Sequence, residues 1–172
     1  DGHWKPSPEY EEYMGLAEHF TETPSPLLIL THGYSGSGKS TIAGRLAEKI
    51  GAIWLRSDIE RKRLYGYAAT QSSGSGLDNG LYTAQAGQAT YRKLAELAGE
   101  VIAAGFPVII DAAFLKSEQR RSFRELAADS GARFVIVDVR ASEETLRQRI
   151  AHRRQQENDP SEATLAVLER QL

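Results

Sequence analysis

Residues 33–40 constrain the fold of this 172-residue chain more than any other segment. Glycine stands at positions 33, 36 and 38, and the segment ends in Lys39-Ser40. The apolar run 27–30 precedes it, and the amphipathic stretch 41–50 follows it and stops at Gly51. Uninterrupted apolar residues are typical of a strand covered on both faces, and the spacing of the later stretch is helical. The sequence therefore predicts a strand, a tight bend that needs glycine, and a helix.

The bend fits the pattern G-x-x-x-x-G-K-[ST] at every fixed position. Successive N–H groups of such a bend face one anion, and the start of the helix adds its positive end. On this pattern Lys39 reaches the β- and γ-phosphates of a nucleotide, and the Ser40 hydroxyl is a ligand of Mg²⁺. A glycine turn that precedes a helix by chance explains the full match poorly. We predict that ATP or GTP, with Mg²⁺, binds nine residues: Gly33, Tyr34, Ser35, Gly36, Ser37, Gly38, Lys39, Ser40 and Thr41.

The rest of the chain alternates apolar runs with helical patterns. Runs at 53–55, 108–110 and 134–137 predict three more strands, and helices are expected at 90–104 and 117–130, from Ser142, and from Asp159-Pro160. This alternation predicts an α/β fold of three αβα layers with a parallel sheet. The pattern leaves open whether a fifth strand belongs to the sheet. Residues 66–80, rich in Gly and Ser, predict a mobile loop that is either an active-site flap or an inert insertion.

The N-terminal 26 residues differ from the rest in composition. Residues 1–26 are rich in Pro, Tyr and Glu, and they predict a linker with a short helix at 9–20. Residues 27–172 then form one domain, and the missing start Met leads us to expect a longer parent chain. A net charge of −2 provides no general attraction for nucleic acid, and the absence of Cys favours a cytoplasmic location. No apolar run is long enough for a membrane span.

Acidic residues follow two of the predicted strands directly. In an open parallel sheet, ligands bind at the carboxyl ends of the strands. Asp111 ends one apolar run and has the form of a Walker B element, whose carboxylate holds Mg²⁺ or orients the reacting groups. Asp138 ends a similar run, so the sequence leaves the choice open. We favour Asp111, because residues 112–114 continue it as a loop that begins with small residues.

Asp58 and Arg61 follow the second strand and suggest a site for a phosphoryl acceptor. A carboxylate at Asp58 could take the proton of a substrate hydroxyl, and Arg61, about one helical turn later, could hold an anionic group. The structural alternative is that Ser57 or Asp58 caps the N-terminus of a helix. The two interpretations are compatible.

A cluster of basic residues lies between the fourth strand and a polar turn. Arginines on a segment that closes over ATP neutralise the charge that develops during phosphoryl transfer, and such a segment is a lid. The alternative is a solvated helix face that pairs with Glu143 and Glu144, which suits Arg147 best. We assign the lid role to Arg149 and Arg153. No spacing of His residues predicts a metal cage.

Together, residues 33–41, 56–63, 110–115 and 159–161 resemble the small P-loop kinases. That superfamily includes polynucleotide 5′-hydroxyl kinases, gluconate and shikimate kinases, chloramphenicol phosphotransferase and zeta-toxin-like kinases. The chain is most similar to the C-terminal ATP-binding domain of bacterial bifunctional proteins whose N-terminal half resembles aminoglycoside phosphotransferases.

The resemblance implies a kinase-type strand order, ATP or GTP with Mg²⁺ near Ser40, and an acceptor hydroxyl near Asp58. It also implies a fused N-terminal kinase-like domain as partner. Two functions remain: transfer of the γ-phosphate to a hydroxyl of a small molecule or a nucleic-acid 5′ end, or a nucleotide-binding module or slow NTPase that regulates a fused domain. Asp58 and Arg61 favour the first, because a regulatory module does not need them.

Overall fold

The computed structural model describes residues 6–21, 26–69, 71, 81, 83–153 and 164–172. These residues form, in chain order, α1 (Pro8–Thr21), β1 (Leu27–His32), α2 (Lys39–Ile50), β2 (Ile53–Arg56), α3 (Ser57–Leu64), α4 (Ala84–Ala103), β3 (Val108–Asp111), α5 (Ser117–Asp129), β4 (Arg133–Asp138), α6 (Glu143–Arg153) and α7 (Leu165–Gln171). The four strands are parallel, in the order β2-β3-β1-β4. None of the described helices is long and apolar enough to cross a membrane.

Alternate residues of the two central strands face different helical layers. Leu28 and Leu30 of β1 belong to a buried core with residues of α4 and α5. Ile29, between them in sequence, packs with Ala43 and Ala47 of α2 on the opposite face. Both faces of the sheet are therefore covered, which is why these strands are continuously apolar. The predicted α/β fold with three layers and a parallel sheet is confirmed.

Helix α4 begins at Ala84, six residues earlier than the hydrophobic pattern indicated. Residues 84–89 contain no large apolar side chain, so their periodicity was invisible in the sequence. The small residues Ala86 and Thr90 are nonetheless fully buried. The hydroxyl of Thr83 caps this helix by accepting a hydrogen bond from the N–H of Ala86 at 3.1 Å, which satisfies an otherwise unpaired donor.

Other helix boundaries lie close to the prediction or outside the described residues. The Ser142 hydroxyl accepts a hydrogen bond from the N–H of Thr145 at the start of α6, as expected for a cap. Helix α7 begins at Leu165 and is capped by Thr164, and the predicted start at Asp159-Pro160 lies outside the described residues. The centre of the predicted loop, residues 72–80, also lies outside them. Helix α1 forms near the predicted span.

Parallel alignment brings the polar ends of the strands to one edge of the sheet. Arg56, the last residue of β2, is the register partner of Asp111, the last residue of β3. Strand β1 lies directly beside β3 and leads into the glycine bend after His32. The fold therefore places the bend, Asp111 and the start of α3 next to one another.

A cluster of aromatic rings supports the loop after β3. Phe114 contacts Tyr91 and Phe123 edge to face, with ring centroids 5.1 Å and 5.0 Å apart. Phe114 has a φ of +48°, which a bulky residue rarely adopts, and it is fully buried. The carbonyl oxygens of Phe114 and Leu115 accept hydrogen bonds from Arg120. The cluster thus holds the chain in an unusual conformation just beyond Asp111.

Phe123→Ala should lower the free energy of unfolding by about 3–5 kcal/mol, because it removes a buried ring and leaves a cavity. Chemical denaturation at neutral pH measures this loss. Phe106→Ala is the matched control, since Phe106 is 50% exposed, and it should cost well under half as much. Equal losses in the two variants would show that the cluster around Phe114 does not stabilise the fold.

Candidate active site

The bend of residues 33–38 requires glycine for steric reasons at its start. Gly33 has a φ of +138°, and a Cβ atom there would lie 2.3 Å from the carbonyl oxygen of Val139. The N–H of Gly33 donates to the carbonyl of Ala113 at 3.2 Å, and the N–H of Val139 donates to the carbonyl of His32 at 2.8 Å. The chain thus turns in a space bounded by the loops that follow β3 and β4.

Lys39 lies at the start of α2 and points back over the bend. Its ammonium group donates to the carbonyl oxygen of Tyr34 at 2.7 Å, and the N–H of Ser37 donates to the same carbonyl at 3.2 Å. Gly38 precedes the helix in the left-handed conformation, with a φ of 103°. A cation and the positive end of a 12-residue helix therefore meet at the mouth of the bend.

The Ser40 hydroxyl lies beside the Asp111 carboxylate and favours its charged form. Asp111 is only 5% exposed, and its carboxylate also lies 3.4 Å from the hydroxyl of Thr31. That hydroxyl is itself fixed, since it donates to the carbonyl of Ala112 and accepts from the N–H of the same residue. The structure thus brings together two oxygen groups that the sequence predicted as metal ligands.

Burial raises the pKa of Asp111 above its ordinary value of 3.8. The hydrogen bond from Ser40 lowers this pKa, whereas the negative charge of Asp58 raises it, and the cations Arg56 and Lys39 lower it again. The net direction is upward, so the surrounding protein groups compensate incompletely for the loss of water around this carboxylate. A bound cation would supply the missing stabilisation of the charged carboxylate.

Asp138, the alternative to Asp111, is exposed and has different partners. Its carboxylate lies 2.8 Å from the His32 ring and accepts a hydrogen bond from Arg140 at 2.6 Å. The hydrogen bonds from His32 and Arg140 lower the pKa of Asp138. Asp138 therefore has the environment of a surface ion pair, whereas Asp111 lies under the bend against Ser40.

Asp58 lies in the first turn of α3, where Arg56 holds it. Both carboxylate oxygens accept hydrogen bonds from the Arg56 guanidinium, at 3.2 Å and 2.7 Å, and one also accepts from the N–H of Ile59. The Arg56 guanidinium in turn stacks over the ring of Trp54, 5.2 Å from its centroid. Arg56 occupies the N-cap position, so the suggested cap at Ser57 or Asp58 is wrong by one or two residues. The extended backbone of Arg56 accounts for this shift.

Arg61 lies on the same helix, against α4. Its Nε lies 3.4 Å from the hydroxyl of Thr90. Burial raises the pKa of Tyr91, and the positive charge of Arg61 partly offsets this rise. The Tyr91 hydroxyl accepts a hydrogen bond from the N–H of Phe114. The side chain of Arg61 therefore lies between α3 and α4. Tyr91, which feels its charge, bonds in turn to the loop that follows Asp111.

Of the two arginines predicted for the lid, the structure describes the side chain of Arg149. Arg149 of α6 donates to the carbonyl oxygens of Gly36 and Ser37, at 3.3 Å and 3.0 Å, so it already contacts the bend. The side chain of Arg153 and residues 154–163 lie outside the described part of the chain. Arg147 pairs with Glu143, as the alternative interpretation of the cluster expected, and also with Glu169 of α7.

Four residues of this region escaped the sequence analysis: Thr31, Arg56, Tyr91 and Gln171. Thr31 gave a local signal, because it is a polar residue directly after the apolar run 27–30. Arg56 was equally visible, two residues before Asp58. Tyr91 and Gln171 act through contacts between distant segments, which no local pattern reveals.

Asp111→Asn should raise the free energy of unfolding at pH 7 in the absence of metal. The raised pKa means that the folded state binds this proton more tightly than the unfolded chain, so the ionised carboxyl destabilises the fold at neutral pH. The difference from wild type should shrink as the pH falls toward the ordinary pKa of 3.8, as urea titrations at several pH values would show.

Asp138→Asn is the matched control, with the opposite sign. Its lowered pKa gives stability that is present above the ordinary pKa and lost as the pH falls through the folded value, so neutralising it should slightly reduce stability at pH 7. If Asp111→Asn were less stable than wild type at pH 7, the inference that protein groups compensate incompletely for the burial of the Asp111 charge would be refuted.

Comparison with known proteins identifies the family. The model of a family described as an AAA domain matches residues 28–172. Over 156 residues, the chain is 30% identical to the uncharacterized proteins Rv2004c of Mycobacterium tuberculosis (strain H37Rv) and Mb2027c of Mycobacterium bovis. These matches cover 91% of this chain and 31% of each relative. The chain thus spans about a third of the length of these relatives.

Three solved structures with a similar fold are kinases by their names. The APS kinase CysC of Mycobacterium tuberculosis, in complex with AMPPNP and APS, has a TM-score of 0.59 and 24% identity, over 73% of this chain and 69% of that chain. A putative kinase from Chloroflexus aurantiacus has a TM-score of 0.67 and 20% identity, over 87% and 76%. A gluconokinase from Sinorhizobium meliloti has a TM-score of 0.56 and 25% identity, over 86% and 74%. The chain therefore belongs to the AAA domain family, and its fold and its neighbours are those of P-loop kinases, for which the general activity is ATP-dependent phosphoryl transfer.

Proposed function

We propose that this domain transfers the γ-phosphate of ATP to a hydroxyl group of a small molecule or a nucleic-acid 5′ end, with Mg²⁺. The observation that carries the proposal is the contact of Ser40 with buried Asp111, beside the glycine bend and within electrostatic range of Asp58. The residues proposed to bind phosphate, to bind metal and to activate the acceptor lie at one edge of the sheet, which supports the proposal.

Ser40 and Asp111 fit a magnesium ion by the chemistry of their oxygens. Mg²⁺ prefers oxygen ligands and usually binds one or two carboxylates together with waters and substrate phosphates. Among the described residues, no three His, Asp or Glu side chains converge on one point, which agrees with a metal held largely by the nucleotide. When bound, the ion would neutralise negative charge on the phosphates.

The bend and Lys39 would hold the phosphates of the nucleotide. The ammonium group of Lys39 rests on the Tyr34 carbonyl, and its flexible stem allows it to turn toward the β- and γ-phosphates. The N-terminus of α2 would contribute N–H donors and a partial positive charge. All nine residues from Gly33 to Thr41 belong to this proposed nucleotide site, for ATP or GTP alike.

Asp58 is the proposed general base. The acceptor hydroxyl would give its proton to this carboxylate while its oxygen forms a bond to the γ-phosphorus. The bond between that phosphorus and the oxygen bridging to the β-phosphate would break, and ADP would leave. Arg56 fixes the direction of the carboxylate. Oδ1 accepts from both Arg56 and Ile59, whereas Oδ2 accepts from Arg56 and keeps a lone pair for the incoming proton.

Arg61 is the proposed anchor for an anionic group of the acceptor. It lies on α3 together with Asp58 and contacts Thr90 of α4, so an acceptor between these helices would meet both residues. The APS kinase neighbour was solved with APS, an anionic substrate, and the gluconokinase acts on a sugar acid by its name. These two neighbours support an anionic acceptor with a free hydroxyl.

Arg149 and Arg153 are the proposed cations of the lid. Arg149 contacts the carbonyls of Gly36 and Ser37, so its charge already lies at the bend. Arg153 is four residues further along the same helix, and its lid role is proposed from the sequence pattern. Together they would counter the negative charge that develops on the phosphoryl group.

A regulatory role is the second candidate, and the length of the relatives favours it. Because the chain matches 31% of these proteins, the domain occurs within larger ones, where a nucleotide-binding module or slow NTPase could control a fused kinase-like domain. Such a module would bind and hydrolyse ATP without transferring phosphate to a hydroxyl acceptor.

Incubation with γ-labelled ATP and a panel of acceptors separates the two candidates. The panel contains 5′-hydroxyl oligonucleotides, sugars, aminoglycosides, gluconate and APS. We expect label on one class of acceptor, and Lys39→Met should reduce transfer by at least about 100-fold because a charge at the transferring phosphate is lost. Label that passes only to water with every acceptor, and equally in both proteins, would contradict the kinase proposal.

Asp58→Asn should lower kcat by about 10²- to 10⁴-fold, because the amide cannot accept the proton. The dissociation constant of Mg-ATP should change little, since Asp58 lies on the acceptor side. Asp129→Asn, on the exposed end of α5, is the control and should leave both constants unchanged. A variant at Asp58 with normal kcat would remove the base from the proposal and leave the nucleotide site intact.

A further inference from the structure

Helix α7 contacts the phosphate-binding bend directly, 136 residues away in sequence. The side-chain oxygen of Gln171 accepts a hydrogen bond from the backbone N–H of Ser35 at 2.8 Å. Ser35 lies in the first half of the bend, beside Tyr34, whose carbonyl holds Lys39. The contact therefore reaches the part of the bend that determines where the lysine ammonium rests.

Two kinds of interaction hold α7 in this position. Leu168 is fully buried in a small apolar cluster with Leu146 and Ile150 of α6, and Tyr34 packs against the same cluster. At the surface, Arg147 of α6 pairs with Glu169 at 3.2 Å. Gln171 is about one turn beyond Leu168, so the buried leucine places the glutamine at the bend.

The outer side of the bend is thus bound from two directions. Arg149 donates to the carbonyls of Gly36 and Ser37, and Gln171 accepts from the N–H of Ser35. A Cβ atom on Gly36 would lie 3.0 Å from the carbonyl oxygen of Leu146, so α6 also lies against the bend itself. Helices α6 and α7 together form a brace around the phosphate-binding segment.

A glycine-rich bend gains most from such a brace. Glycine loses more backbone entropy on ordering than any other residue, and a phosphate site works only if its N–H groups already point inward. Each outer backbone group that is fixed lowers the cost of ordering the inner ones when nucleotide binds. Gln171 fixes the outer group closest to the Lys39 contact.

We propose that Gln171 is a positioning residue that holds the phosphate-binding bend in its nucleotide-binding conformation. The inference deepens the proposed function, because it assumes that the bend binds nucleotide phosphates. Gln171 acts through the backbone of Ser35 rather than on the reacting atoms.

Gln171→Met tests this role, because it keeps the length of the side chain and removes the acceptor. We expect the dissociation constant of Mg-ATP, measured by isothermal titration, to rise about five- to tenfold, as for the loss of one hydrogen bond. Hydrogen exchange at the Ser35 amide should become faster in the nucleotide-free variant. Gln171→Asn is too short to reach Ser35 but stays polar, and it should show the same two effects. It takes the place of the Met variant if that variant fails to fold.

Gln148→Met is the matched control, because Gln148 is an exposed residue of α6 that bonds to Glu144 in its own helix. It should leave the affinity and the Ser35 exchange rate unchanged. A lower melting temperature with unchanged Mg-ATP affinity in both Gln171 variants would overturn the inference and leave Gln171 a structural residue. If the wild-type protein itself failed to bind Mg-ATP, the proposed function would fall first, so the two failures are distinguishable.

Discussion

The bend that starts at Gly33 is attached to the ends of both strands that flank β1, and the rest of the site depends on this attachment. The N–H of Gly33 bonds to the loop after β3, and the carbonyl of His32 bonds to the chain after β4. The Val139 carbonyl then lies so close that residue 33 has no room for a side chain. The sheet therefore fixes the entry to the bend before any ligand arrives, and Ser40 consequently meets Asp111.

The buried carboxylate of Asp111 reduces the stability that this edge of the sheet gives to the fold. Burial and the nearby charge of Asp58 both raise the pKa of Asp111, and Lys39 and Arg56 offset this only in part. A fold selected for stability alone would place an apolar residue at such a buried position. The same carboxylate is valuable if a divalent cation and a triphosphate complete its surroundings, so the energetic cost itself supports the functional assignment.

The sequence predicted the four strands and the glycine bend because each has a local cause, either uninterrupted apolar residues or glycines at fixed spacing. It missed the first six residues of α4, because small residues such as Ala86 pack closely without a hydrophobic pattern. It favoured Asp111 over Asp138 only by the small-residue loop that follows Asp111, since both carboxylates end apolar runs. That difference is tertiary: one carboxylate faces Ser40 under the bend, and the other faces solvent beside His32 and Arg140. The contact of Gln171 with Ser35 lies beyond local patterns for the same reason.

The basic residues of α6 now separate into two kinds. Arg147 pairs with Glu169 and so links α6 to α7. Arg149 instead contacts the backbone of the bend. A guanidinium has five N–H donors, so Arg149 can keep its carbonyl contacts and still present donors to a phosphate. Because α6 and α7 pack on each other and both contact residues 35–37, a shift of α6 would also change the contact at Ser35. The proposed lid residue Arg149 and the proposed brace residue Gln171 thus belong to one packed pair of helices.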